Sequence, residues 1–258
     1  MGSPTVAAAA PHAPATTLAW DGSGSQADLM LRDQVIAVTP DDAATGGASK
    51  RDAHTFAGGT PSGVLHRAFS AFLFDGRNRL LLQQRALCKI TFPGVWTNTC
   101  CSHQLHGQTP EEFDSPSDVA AGRAPGSAAA AVRKLEHELG IRVGTIPPSA
   151  FRFVTRLHYC APDASSPGAW GEHEVDYVLL ARAPAGGLGL APNAEEVADT
   201  RWVDEAELKA MMAPSSGLAW SPWFRSIAER WLPAWWRDLD EVLEKGAHVD
   251  AATVHRVM

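Results

Sequence analysis

A chain of 258 residues, 45% hydrophobic and with nine Trp, has enough apolar surface for one large domain or two small ones. Its formal net charge of -7 argues against a nucleic-acid or anionic-membrane surface, since both repel an acidic protein, so any phosphate must be met by a local basic pocket. No apolar run approaches the ~18 residues that span a bilayer, and four cysteines, two of them adjacent, make a poor disulfide framework and point to a reducing compartment.

In chain order, residues 1–28 begin with an Ala, Pro and Thr-rich stretch that has no Lys, Arg or apolar h-region through Leu18. They read as a disordered leader or expression remnant; a trimmed organelle-targeting sequence would look the same. Leu29 to Thr39 predicts a first strand, broken by a Gly, Ala and Asp-rich loop from Asp41 to Ser49. Val64 to Phe74 and Leu80 to Arg85, joined by Asp75-Gly76-Arg77-Asn78, predict a β-hairpin. The Pro, Asp, Ser and Gly-rich stretch at 107–126 predicts a long surface loop.

Ser127 then caps a helix whose Ala128, Ala131, Val132, Leu135 and Leu139 recur at helical spacing, with Gly140 as the stop. Phe151 to Cys160 and Glu174 to Ala183 predict a second hairpin. Asp204 with Glu207 forms a capping box, and Ser221-Pro222 opens a Trp-rich helix that Pro233 ends or kinks. The order is mostly strands, one central helix, more strands, then helices.

Two runs carry chemistry. In Thr97-Asn98-Thr99-Cys100-Cys101-Ser102-His103, strand alternation sends Cys101 and His103 out of one face and turns Cys100 toward packing. In Trp170-Gly171-Glu172-His173-Glu174-Val175-Asp176 the three carboxylates share a face and His173 turns away. A structural zinc knuckle would need a second Cys or His pair at short spacing, which the chain lacks. His158, His173 and the terminal His12, His248 and His255 carry no signal.

These runs, with His66-Arg67-Ala68-Phe69-Ser70, Pro93-Gly94-Val95-Trp96 and Ser221-Pro222-Trp223, resemble the type I isopentenyl diphosphate isomerases from about Leu29 to the C-terminal helices. The resemblance implies a single α/β domain over 29–258, a Nudix-like α/β/α sandwich with a mixed sheet and extra C-terminal helices. It also implies the interconversion of isopentenyl and dimethylallyl diphosphate through a tertiary carbocation, so an acid and a base must face each other across the substrate. By resemblance Cys101 and Glu174 are that pair, with either as proton donor, Trp223 is the indole that faces the cation, and Tyr159 is a second wall. His54, His66, His103, Glu172 and Glu174 would form one divalent metal site of nitrogen and oxygen donors for Zn, Mn or Mg. Lys50, Arg85, Lys89 and Lys134 would meet the diphosphate, and Glu138 a Mg ion bridging to its oxygens.

A Nudix hydrolase is the rival reading, but Lys134 and His137 stand where its helix needs carboxylates and only Glu138 survives. A non-catalytic prenyl-diphosphate binder is a second, opposed by the presence of both acid–base candidates. Gln104 follows His103 where the family commonly has Pro. The resemblance implies a monomer or homodimer with a small-molecule partner, in cytosol or plastid stroma.

Overall fold

A computed structural model describes residues 24–56 and 63–257. Its helices and strands are, in chain order, α1 (Gln26–Arg32), β1 (Gln34–Val38), β2 (Ala44–Ser49), α2 (Lys50–His54), β3 (His66–Phe74), β4 (Leu80–Arg85), β5 (Trp96–Thr97), β6 (Cys100–Ser102), α3 (Pro116–Ala120), α4 (Pro125–Leu139), β7 (Arg152–Pro162), β8 (Gly171–Arg182), β9 (Val197–Val203), α5 (Glu205–Met212), α6 (Pro222–Arg230), α7 (Leu232–Arg237), α8 (Leu239–Lys245) and β10 (Val254–Arg256).

The main path of the sheet runs β10-β7-β8-β3-β1-β2, with β4 and β6 also pairing β3, and β5 and β9 pairing β4. It is mixed: β3 runs parallel to β8 and β10 to β7, while the other pairs are antiparallel. Every residue of β3 is buried, as a central strand covered on both faces requires. Alternation divides its side chains between two cores. Phe72 and Phe74 pack with Val178, Trp223, Phe224, Ile227, Trp235 and Val242 under the C-terminal helices. Phe69, Ala71 and Leu73 pack with Tyr177, Ala131, Leu135 and Leu139 under α4. That is the three-layer sandwich the resemblance implies.

Several expectations are corrected. Leu29 to Arg32 are helical, because Ser25 and Asp28 form a reciprocal capping box that starts α1 at Gln26; described structure therefore begins within the expected leader, whose residues 1–23 lie outside the described ones. The strand starts only at Gln34. Part of the expected loop at 41–49 is β2, which turns back onto β1 through Asp42, a non-glycine residue at φ 65°. The β3–β4 turn forms, but the strands pair only at Phe74 and Leu80 before β4 leaves to join β5 and β9.

The central helix begins at Pro125, ahead of Ser127. Asp114 supplies its cap from the preceding loop, accepting from the Gly126 amide at 2.7 Å and the Ser127 amide at 2.9 Å. A Cβ at Gly126 would lie 2.5 Å from the Glu112 backbone, so this close approach requires glycine. The 107–126 segment contains α3 and is pinned by Glu112, which accepts from Leu105 N and Arg133. None of it lines the pocket described below.

Candidate active site

Parallel pairing of β3 with β8 sets His66 opposite Glu174, and antiparallel pairing of β7 with β8 sets Tyr159 opposite the same residue. His54 closes the short helix α2, which Ser49 caps, and His103 follows β6. The ligand atoms of His54, His66, His103, Glu172 and Glu174 all lie within 4.8 Å of one another, and all five residues are buried.

The protonation pattern of this cluster follows from its backbone neighbours. His54 Nδ1 lies 2.6 Å from the Lys50 carbonyl and His66 Nδ1 2.7 Å from that of Val64. A carbonyl only accepts, so both rings carry hydrogen on Nδ1 and turn a bare Nε2 lone pair inward. Burial holds the His66 and His103 pKa values down to about 4 and lowers that of His54, which keeps the rings neutral. His54 Nε2 and Glu172 Oε2 then face each other at 2.8 Å with no hydrogen bond to either, and His66 Nε2 is also without a partner. Opposed lone pairs at that distance repel unless a cation lies among them. Three neutral imidazoles and two carboxylates are the donor set of a borderline divalent metal, and the Lys50 and Val64 carbonyls are the outer partners that orient such ligands. The five residues fit a divalent metal.

Cys101 sits on β6 opposite Ser70 of β3. Burial pushes its thiol up to about 12 against the opposing pull of Arg85, so it stays protonated at neutral pH. His103 Nε2 lies 2.8 Å from Glu174 Oε1, and Glu174 accepts from the Tyr159 hydroxyl. Burial and the neighbouring Glu172 raise its carboxyl to about 7. One pocket is lined by Cys101, Glu174, Tyr159 and Trp223 together with His54, His103, Glu172, Glu138 and the four expected cations. His66 lies behind its wall. As alternation predicts, Cys100 points to the α4 core, its thiol 3.4 Å from Glu138, and His173 turns away to meet His158 at 3.1 Å.

The cations are less free than the sequence suggests. Lys89 binds Glu196 at 2.5 Å, while Lys134 lies 3.2 Å from Glu138 and 3.9 Å from Glu196. Glu196, just ahead of β9, is buried among lysines; burial opposes its charge, yet Lys134 and Lys89 hold its carboxyl below the usual range. Gln26 of α1 also donates to it at 2.9 Å. No spacing in the sequence marks Glu196, because its partners lie far along the chain. Arg85 spends Nε and Nη2 on the Phe92 and Thr91 carbonyls, leaving Nη1 3.9 Å from the Cys101 sulfur. Lys50 is half-buried, and desolvation with Lys89 and Lys134 lowers its pKa to about 8.

The family model described as NUDIX domain matches residues 64–224. The isopentenyl-diphosphate delta-isomerase of Phaffia rhodozyma is 45% identical over 231 residues, covering 87% of this chain and 84% of that protein. The protein of the same name from Gibberella zeae is 46% identical over 218 residues, covering 84% and 81%. A chloroplastic isopentenyl-diphosphate Delta-isomerase II of Arabidopsis thaliana is 40% identical over 239 residues, covering 90% and 78%.

Proposed function

From the premise that the chain belongs to the isopentenyl-diphosphate delta-isomerase family and carries a Nudix domain, we propose that this pocket moves the double bond between isopentenyl and dimethylallyl diphosphate. The observation that carries the reading is the convergence of a protonated thiol, Cys101, and a carboxyl, Glu174, on one cavity that is also lined by Lys50, Arg85, Lys89 and Lys134. One group delivers a proton to the terminal alkene carbon, leaving a tertiary carbocation. The other removes an allylic proton. The reaction is reversible, so the two exchange roles with direction.

Trp223 and Tyr159 supply aromatic faces, ring centroids 6.0 Å apart; a π face favours positive charge by ~1 to 2 kcal/mol when desolvated. Tyr159 donates to Glu174 and so holds the carboxyl oriented toward the cavity. Lys50, Arg85, Lys89 and Lys134 meet the diphosphate, the last two by leaving Glu196 and Glu138 for it, and Glu138 takes the Mg ion that accompanies the substrate. A Zn, Mn or Mg ion held by His54, His66, His103, Glu172 and Glu174 favours the ionised form of Glu174 when bound. The partner is a small-molecule diphosphate, with the chain acting as a monomer or homodimer. Cytoplasm or plastid stroma, both reducing, suits its four free cysteines.

The test is incubation with Mg and isopentenyl diphosphate in deuterated water, followed by NMR, beside a Cys101→Ala control. Deuterated dimethylallyl diphosphate that disappears in the control supports the reading. Phosphate release without isomerisation would move the protein to the Nudix hydrolases.

A further inference from the structure

Between β5 and β6, Asn98 is completely buried, and all of its side-chain hydrogen-bonding capacity is used. Its Nδ2 donates to the Ala71 carbonyl at 3.1 Å and the Cys100 carbonyl at 2.8 Å. Both partners only accept, which fixes the amide orientation. Its Oδ1 accepts from the Thr97 hydroxyl at 2.9 Å and from the Trp223 indole N–H at 3.2 Å. Ala71 and Cys100 are themselves opposite residues of β3 and β6. The amide is thus knotted into the rung next to the one that carries Cys101.

A second chain of contacts reaches the same helix. Thr97 Oγ1 lies 2.8 Å from Ser221 Oγ, and the Ser221 hydroxyl caps α6 by accepting from Phe224 N. The base of α6, and with it Trp223, is tied to the β5–β6 turn at two points. An indole N–H has one hydrogen to give and no rotational freedom in giving it, so its acceptor sets the tilt of the ring.

We infer that Asn98 is a positioning residue for the isomerisation: one amide fixes the strand that carries Cys101 and, through the indole N–H, the plane of Trp223. It touches no reacting atom and acts through those two groups. The inference rests on the isomerase reading of the pocket. Its physical basis is that an aromatic face stabilises a cation only when the cation lies over it, and that a preorganised group costs no reorganisation as charge develops.

The test is a double-mutant cycle on isopentenyl diphosphate isomerisation, with kcat and KM measured separately for wild type, Asn98→Leu, Trp223→Phe and the double variant. Asn98→Leu keeps the branching and the number of side-chain heavy atoms and removes the amide, at the cost of two bulkier methyl groups. Phe at 223 keeps an aromatic ring but has no N–H to tether. The expected result is a kcat about 100-fold lower in Asn98→Leu with KM within about threefold, since misplacement of that kind penalises the chemical step. In the Trp223→Phe background the further loss is about tenfold or less, because the indole tether is already gone and only the hold on the Cys101 strand remains to be lost. An equal loss in both backgrounds, or a KM that rises as far as kcat falls, overturns the inference and makes Asn98 a plain structural residue. Asn98→Ser runs the same cycle without risk of overpacking if the Leu variant does not fold. An inactive wild type sinks the isomerase reading and this inference together; an active wild type with additive losses sinks only the inference.

Discussion

His66 and Arg67 are neighbours in β3, both almost wholly buried, and they serve opposite ends of a contrast. Arg67 turns to the α4 side, where its Nε donates to Asp42 Oδ1 at 2.8 Å, Nη2 to the Asp42 carbonyl at 3.1 Å and Nη1 to the Asp114 carbonyl at 2.8 Å. Arg156 at 2.8 Å and the Tyr177 hydroxyl complete the Asp42 carboxylate. His66 turns to the other face, where His54, His66 and Glu172 leave inward-facing atoms without hydrogen bonds. Both clusters bury charge and polarity. In the Asp42 cluster each carboxylate oxygen has a donor, which suits a structural role, while the His and Glu cluster is short of a cation. Arg156 Nε in the Asp42 cluster also lacks a hydrogen-bond partner, so what separates the functional centre from the scaffold is the convergence of several bare acceptors on one point rather than burial or a single unpaired atom.

The contrast breaks first under substitution at the pocket. Glu174→Gln and Cys101→Ala are each expected to lower kcat by about 10³ to 10⁴-fold, at the upper range for loss of a general acid or base, with thermal unfolding close to wild type. Near-normal turnover in either would remove that residue from the chemistry. Asp42→Asn should do the reverse. Breaking a buried ion pair costs about 3 to 5 kcal/mol, and Asn tolerates the left-handed backbone at this position, φ 65°, so the loss isolates the charge. Urea unfolding would show it as a lowered midpoint, with activity per folded molecule retained.

The two clusters were unequally legible in the sequence. Alternation alone put Cys101 with His103 and Glu172 with Glu174 on shared faces and turned Cys100 and His173 away, because side-chain direction in a strand is set by the nearest residues. The three-layer fold follows from the resemblance alone, since the apolar runs mark strands without saying how they are layered. What local pattern cannot carry is a partner far along the chain. Glu196 meets Lys89 at a separation of 107 residues and Asn98 meets Trp223 at 125, so Glu196 went unnoticed and Asn98 was only a letter in a motif. The start of α4 is hidden for the same reason, its cap coming from Asp114 rather than from the residue beside it.

Metal and acid sharpen the comparison next. A ligand that binds only the folded state at about a hundred times its Kd adds about 2.7 kcal/mol of stability. Zn, Mn or Mg titrated into chelated protein should therefore raise the melting temperature, and Glu172→Gln should abolish that rise while Asp42→Asn keeps it. Acid acts on the same cluster. The folded pKa of His66 and His103 is about 4 against an ordinary 6.5, so between those values the unfolded chain binds protons that the folded chain refuses. These imidazoles therefore cost the metal-free protein stability as pH drops from 6.5 toward 4, while Glu174, its carboxyl raised to about 7 by burial and Glu172, opposes them by holding a proton that the unfolded chain has released. Glu174→Gln removes that opposing group, and in it a flat melting temperature between pH 6.5 and 4 would contradict neutral, buried imidazoles.

The smallest expected effect lies at Lys50, and its sign distinguishes it from general alkaline damage. Burial and two neighbouring lysines hold its pKa at about 8, below the usual 10.5. As pH rises through 8 the free enzyme loses one cation from the diphosphate site, and KM should climb by about three- to tenfold between pH 7 and 9, the scale of one partly exposed charge interaction. In the complex the diphosphate itself holds the ammonium protonated, so kcat should stay level over the same range. Stability moves the other way. Between 8 and 10.5 the unfolded chain binds a proton that folded Lys50 has released, so unfolding becomes harder as pH rises through that interval. Lys50→Met should flatten both curves at once, with KM already high at pH 7. A KM that rises with pH in the variant as steeply as in wild type would place the titrating group elsewhere among the pocket cations.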